Sequence, residues 1–339
     1  MKEGFLIRFL IVALPAGLLF LGGYSLYRSH SPSAGNEIDP NEAVRLDAAA
    51  LHRRPVSQTD LLHSLTILSE NIGERDSSKP EKLESAAVWI ESTLGPANMG
   101  YTVTRQEYQA SGQPVRNLVA TLPGKTRREE IIVIGADYDS ALGSPGANGN
   151  GAGVAALISI AKAFAGERQD RTVRFVAFAG GARSGPERSE SGVFVYLNSS
   201  RALQEKVVSV ILLDSIGFFS NTPGSQKPPT GWSGEFPETG DFLAFLGAEK
   251  SRYFVDSART AFTSGSGIKG VSGIFAETES NPYSVLQETG FDLVIATDTG
   301  PLRDPAFGGA GDTIARLDIG RLESVTIGLE KVLATWANP

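Results

Sequence analysis

Asp137 and Asp139 close the apolar run Ile131 to Ile134, and Asp214 closes a second run, Val207 to Leu213. Carboxylates at the ends of buried strands can hold a hard cation such as Ca²⁺ or Mg²⁺, or they can accept hydrogen bonds from loop amides. Asp137, Asp139 and Asp214 have the right type for either role. Zinc asks for more, because catalytic zinc is normally held by imidazole and carboxylate together with one position open for water. The chain has three histidines, His30, His52 and His63, and all of them precede Asp137. The same shortage argues against a Ser-His-Asp triad, and no G-x-S-x-G elbow occurs.

Other candidates are weaker. Glu187, Glu190 and Glu279 stand near the ends of strand-like runs, where each reads as a displaced base or as a solvated loop charge. Gly143 to Gly153 holds five glycines, and Gly151-Ala152-Gly153-Val154-Ala155-Ala156 fits G-x-G-x-x-A. A dinucleotide fingerprint joins its strand directly to its helix, whereas a long loop intervenes here after Ile134.

The elements that must position these residues alternate. Ile131 to Ile134, Val173 to Phe178, Val207 to Leu213 and Leu293 to Ala296 read as strands covered on both faces. Leu61, Leu65, Leu68 and Ile72 recur at helical spacing, as do Ala87, Ile90 and Leu94, then Val154, Leu157, Ile158 and Ala161, and finally Leu322, Val325, Leu329 and Val332. Tyr101 to Tyr108 and Val115 to Leu122 alternate like strands. The sum is an α/β three-layer sandwich with a central, largely parallel mixed sheet, whose sites belong at the carboxyl ends of the strands. Phe218 to Asp241 breaks the rhythm with Pro223, Pro228, Pro229 and Pro237, and reads as a binding loop or a surface excursion.

A net charge of −7 argues against nucleic-acid binding, and the absence of Cys removes disulfides and thiolate chemistry. Phe9 to Tyr27 is 19 residues without a charge, roughly 28 Å as a helix and close to a bilayer's hydrocarbon thickness. No clean small-residue cleavage site follows it, so the expectation is an uncleaved signal anchor over residues 1–28, with a removable signal peptide as the alternative. Residues 29–55 form a polar tether and residues 56–339 the globular domain, placed outside the cytoplasm.

The motifs also carry a resemblance. Gly135-Ala136-Asp137-Tyr138-Asp139-Ser140, Gly146-Ala147-Asn148-Gly149-Asn150, Phe175 to Ala182, Leu213-Asp214-Ser215-Ile216-Gly217 and Thr297-Asp298-Thr299 through Asp312-Thr313 follow in a familiar order and spacing. From about Leu61 to the C-terminus, the chain resembles the di-zinc aminopeptidases, whose clan includes secretory glutaminyl cyclases, glutamate carboxypeptidase and the transferrin-receptor ectodomain. The resemblance implies their fold and the places where two zinc ions would sit. It implies the first His ligand at Asp137, the bridging carboxylate at Gly149 and the late His near Gly308. The general base falls at Gly181, or at Gly180 in an alignment shifted by one, with the next zinc ligand at Ala182. Asp214 keeps a ligand type, and Asp139 keeps the carboxylate that orients the first motif. Arg303 matches a position where the family often carries Arg, there to bind a carboxylate ligand or to cap a loop.

These substitutions remove the bridge, the base and the imidazoles together. The expectation is a membrane-anchored pseudopeptidase without a resident cofactor, meeting a peptide or protein through the old cleft around Asp137, Tyr138, Asp139, Asp214 and Arg303. A divergent hydrolase on the remaining carboxylates, with Ca²⁺ or Mg²⁺, is one alternative. A structural subunit of a cell-envelope assembly is the other.

Overall fold

The structure is a computed structural model and describes residues 55–110, 112–180, 190–228, 231–275 and 283–339. The expected membrane segment and tether, and with them His30 and His52, lie outside these residues. Among the described residues, no helix is long and apolar enough to cross a membrane.

The apolar run at Ile131 becomes the centre of β3 (Arg127–Asp137), flanked in parallel by β4 (Arg171–Phe178) and β5 (Lys206–Leu213). Side chains alternate along it. Ile132, Ile134 and Ala136 enter one apolar cluster, while Ile131 and Val133 enter another on the opposite face. Burial on both faces explains the unbroken apolar run, because neither face meets water.

Among the described residues, nine strands form one mixed sheet. β1 (Val103–Ala110) and β2 (Gln113–Leu122) form a hairpin at one edge; β6 (Trp232–Ser233), β7 (Phe242–Gly247), β8 (Lys269–Phe275) and β9 (Leu293–Thr297) complete it. The order is β1-β2-β4-β3-β5-β9-β7-β8-β6.

Helices cover both faces. α1 (Gln58–Leu65, continuing as a wider turn to Ile72), α2 (Pro80–Leu94) and α3 (Ala152–Phe164) contribute to the first cluster. α4 (Gly192–Ala202) contributes Val193, Tyr196 and Leu197 to the second. α5 (Arg252–Ser266) and α7 (Ile319–Ala337) return to the first, whereas α6 (Ser284–Gln287) adds Leu286 to the second. β6, β7, β8, α4, α5 and α6 are the elements that periodicity left unassigned. β7 is a short apolar run beside a Pro/Gly-rich loop. α5 buries Val255, Ala258 and Phe262 within a Ser- and Gly-containing sequence of modest helix propensity.

The topology fixes where a site can form. From β3 the chain crosses by α3 to β4 on one side, then by α4 on the other face to β5 on the other side of β3. Connections that leave in opposite directions open a crevice at the carboxyl ends of β3 and β5. Ala136 pairs with Leu213 there, so the next residues along the two strands are Asp137 and Asp214.

Candidate functional site

Asp137 and Asp214 line one cavity of about 80 Å³ at this crevice. Phe178, Val193, Leu212 and Leu286 form its apolar wall, and Ser191, which also caps α4, adds a hydroxyl. Tyr283 donates its phenolic hydrogen to Asp214 Oδ2. The Tyr283 ring packs on Phe275 at 5.4 Å, Phe275 on Trp232 at 6.2 Å, and Trp232 on Phe236 at 5.7 Å. A chain of rings thus runs from Asp214 into the Pro-rich loop.

The other expected binding residues lie elsewhere. Tyr138 is buried, and its hydroxyl donates to the Arg116 carbonyl at 2.8 Å, away from that cavity. Burial raises its pKa, so it stays a neutral phenol. Arg303 is buried inside the Phe218 to Asp241 loop, where it donates to Gln226 Oε1 and to the carbonyls of Phe218 and Phe242. Its guanidinium stands 4.5 Å from the Phe242 ring centroid, and burial lowers its pKa to about 10. The loop-capping alternative for Arg303 matches this geometry. Asp139 is buried and near enough to the Arg75 guanidinium to act on it electrostatically.

The glycine-rich loop is held from two sides. Arg75 is fully buried and donates to five carbonyl oxygens, those of Leu68, Gly73, Tyr138, Pro145 and Gly146. Desolvation lowers its pKa to about 10, with Asp139 and Asp312 opposing the shift. From the other side, Asp312 accepts from the amides of Asn148 at 2.7 Å, Gly149 at 3.1 Å and Gly308 at 3.4 Å. Burial raises the Asp312 pKa against these three bonds. Asp298 accepts from the Asn148 side chain and from the amides of Phe218 and Gly300. Asn150 donates to the Leu213 carbonyl, so the loop is tied to the strand end that carries Asp214.

Gly149 and Gly308 decide whether two zinc ions fit these residues. A Cβ on Gly149 would stand 2.9 and 3.1 Å from two Phe307 ring carbons and 3.4 Å from Asp312 Oδ2. The ring occupies the space into which a bridging carboxylate would project. Gly308 has φ +69°, a conformation that costs other L residues roughly 1–2 kcal/mol. A His there would be strained even though the space around it is open. The residues therefore do not fit a two-zinc centre. Among the described residues, no three His, Cys, Asp or Glu side chains come together as a metal site. Gly180, at φ +70°, is described. The base position at Gly181, the ligand position at Ala182, and Glu187 and Glu279 lie outside the described residues. Glu190 immediately precedes the α4 cap.

Arg75, Phe307 and Tyr283 went unread in the sequence. Arg75 stands in the charged run Glu74-Arg75-Asp76, which looks like solvated surface. Phe307 offered a signal, an aromatic directly beside the altered late-His position.

Comparison with known proteins agrees with this architecture. Peptidase family M28 matches residues 117–254. Uncharacterized protein YfbL of Escherichia coli (strain K12) is 26% identical over 293 residues, which is 83% of this chain and 88% of that protein. The zinc aminopeptidase BSAP from Bacillus subtilis superposes with a TM-score of 0.63 at 13% identity, covering 84% of this chain and 96% of its own. Bacteroides thetaiotaomicron glutaminyl cyclase gives a TM-score of 0.63 at 15% identity, covering 83% and 98%. At such identities the two structures establish the fold.

Proposed function

We propose, from the premise that this chain is an aminopeptidase-like protein carrying a peptidase family M28 domain, that it is a pseudopeptidase which binds a peptide or protein segment without cleaving it. The observation that carries the reading is the Phe307 ring packed against Gly149. A two-metal hydrolase needs a carboxylate between its ions, held about 3.5–4 Å apart. Here an aromatic ring stands in that place, and the glycine cannot supply the ligand.

The zinc of related aminopeptidases has no counterpart in this mechanism. The chain's own residues order the old catalytic loop instead. Arg75 draws five carbonyls inward, while Asp312 and Asp298 gather the amides of the loops that face it. The cavity at Asp137 and Asp214 has room for roughly two or three waters, or one small terminal group of a peptide. Residues 9–27 anchor the chain in a membrane, with the domain outside the cytoplasm.

The test is to incubate the purified full chain with a library of peptides, measuring capture and following their mass over time. Capture of a subset with every peptide intact supports the reading; shortening from the N-terminus contradicts it.

A second reading rests on the shared cavity of Asp137 and Asp214. Two carboxylates at one crevice can serve a hydrolase with a hard cation such as Ca²⁺ or Mg²⁺. It requires the melting temperature to rise on adding the cation, and any hydrolysis to disappear in Asp214→Ala. A melting temperature insensitive to both ions removes it.

A further inference from the structure

A second cavity lies on the opposite face of the sheet from α4. It has a volume of about 350 Å³ and lies among α1, α2 and α3, within the usual range of roughly 300–1,000 Å³ for small-molecule sites. Each helix presents one stripe to it. α1 supplies Asp60, His63 and Ser64, α2 supplies Trp89 and Thr93, and α3 supplies Ile158, Ser159 and Lys162. The spacings are those of single helical faces.

Two observations mark it as a built site. First, Ser159 is 2% exposed, yet its Oγ has no hydrogen-bond partner among the described residues. A buried helical Ser usually returns its hydroxyl to the carbonyl four residues back. Thr93 does so to Trp89, and Thr326 to Leu322. Ser159 does not, although every other buried residue of α3 is apolar or Gly. A buried hydroxyl left unpaired is costly, and because the Oγ exposes less than 1 Å², a ligand in the cavity meets it only when the side chain turns to another staggered rotamer.

Second, the cavity wall carries a cation, Lys162, with donors to spare beyond its pairing with Asp60. Lys162 Nζ uses one of its three hydrogens on Asp60 Oδ2, at 2.7 Å. That same oxygen already accepts from Ser57 Oγ at 2.9 Å. The Asn98 amide gives one hydrogen to the Ser92 carbonyl and keeps another. Lys162, Ser159 and Asn98 therefore retain donors, while the Asp60 oxygen nearest Lys162 is engaged. The remaining wall, Trp89, Met99, Ile158 and Ala165, is apolar with one aromatic plate.

We infer that this cavity binds a small amphipathic carboxylic acid, its apolar body against Trp89, Met99 and Ile158 and its carboxylate on Lys162, with the Ser159 hydroxyl turning toward the cavity to donate to the ligand. The site is separate from the strand-end crevice and does not depend on the reading of that crevice.

The test is calorimetric titration of the full chain with 4-phenylbutyrate and indole-3-propionate, and with their primary amides. Both acids are expected to bind. Lys162→Met keeps the aliphatic stem and should weaken the acids about tenfold or more, corresponding to the loss of one charge-assisted contact, while leaving the amides little changed. Ser159→Ala should weaken acids and amides alike, and Asp214→Ala should change neither. Trp89→Leu provides a second reduction in affinity should Lys162→Met fold poorly. Failure of both acids to bind, amides binding as tightly as acids, or acids binding equally to wild type and Lys162→Met would each overturn the proposal.

Discussion

At the residue scale, the glycines at the positions where the resemblance implies zinc ligands have defined surroundings. The Phe307 ring has taken the space beside Gly149, and Gly308 has a backbone conformation that suits glycine. Restoring one ligand should therefore cost stability. Gly149→Asp is expected to lower stability by about 1–3 kcal/mol through overpacking, measured by urea unfolding. Phe307→Ala in the same background should recover part of the loss, because the two sites share one volume. Arg75 makes a different prediction. Arg75→Met would remove a buried cation and its hydrogen bonds to five carbonyls, at a cost of about 3–5 kcal/mol, and Arg75→Lys should rescue little because an ammonium lacks the planar fork. The altered positions were legible in the sequence, since a motif names its own exceptions. Their new neighbours were not, because Phe307 and Gly149 are 158 positions apart and meet only in the fold.

At the element scale, strand ends and helix faces do the positioning. Parallel pairing of β3 with β5 sets Asp137 beside Asp214, and this was readable from two apolar runs that each end in Asp. The start of β3 is clamped as well. Glu130 accepts from Lys206, Arg171 and Arg127, which hold its carboxyl at about 2, below the ordinary value of 4.5. A depressed carboxyl stabilises the fold fully above its unfolded pKa and loses that contribution as pH falls toward its folded one. The stability gap between wild type and Glu130→Gln should therefore narrow between about pH 4.5 and pH 2, as followed by urea midpoints across that range. The Phe218 to Asp241 segment is tied to the domain by Arg303, by the Lys227 amide on the Leu302 carbonyl, and by Gln226 on Thr299. Arg303→Ala should expose it, which limited chymotrypsin digestion would report as faster cleavage after Phe219 and Trp232. Proline and glycine content alone gave no means of telling a loop so tied from a free excursion. β7 escaped the reading because burial on both faces leaves no alternation, and α5 because its Ser, Thr and Gly residues mask the helical spacing of Val255, Ala258 and Phe262.

At the scale of the whole molecule, an aminopeptidase-like sheet carries two separate hollows. One is small and acidic at the switch point between β3 and β5; the other is larger, carries the Asp60–Lys162 pair and lies among α1, α2 and α3. The fold was legible because strand and helix alternate so regularly, whereas the second hollow was not, because a Ser in an apolar helix looks like a neutral core position. The central claim concerns the first hollow and what its loops can hold. It is tested most directly by purifying the full chain without chelator, quantifying its bound zinc, and assaying release of N-terminal residues with zinc in excess. The account predicts substoichiometric zinc and no release above a buffer control. About two zinc ions per chain with steady release of N-terminal residues would contradict it.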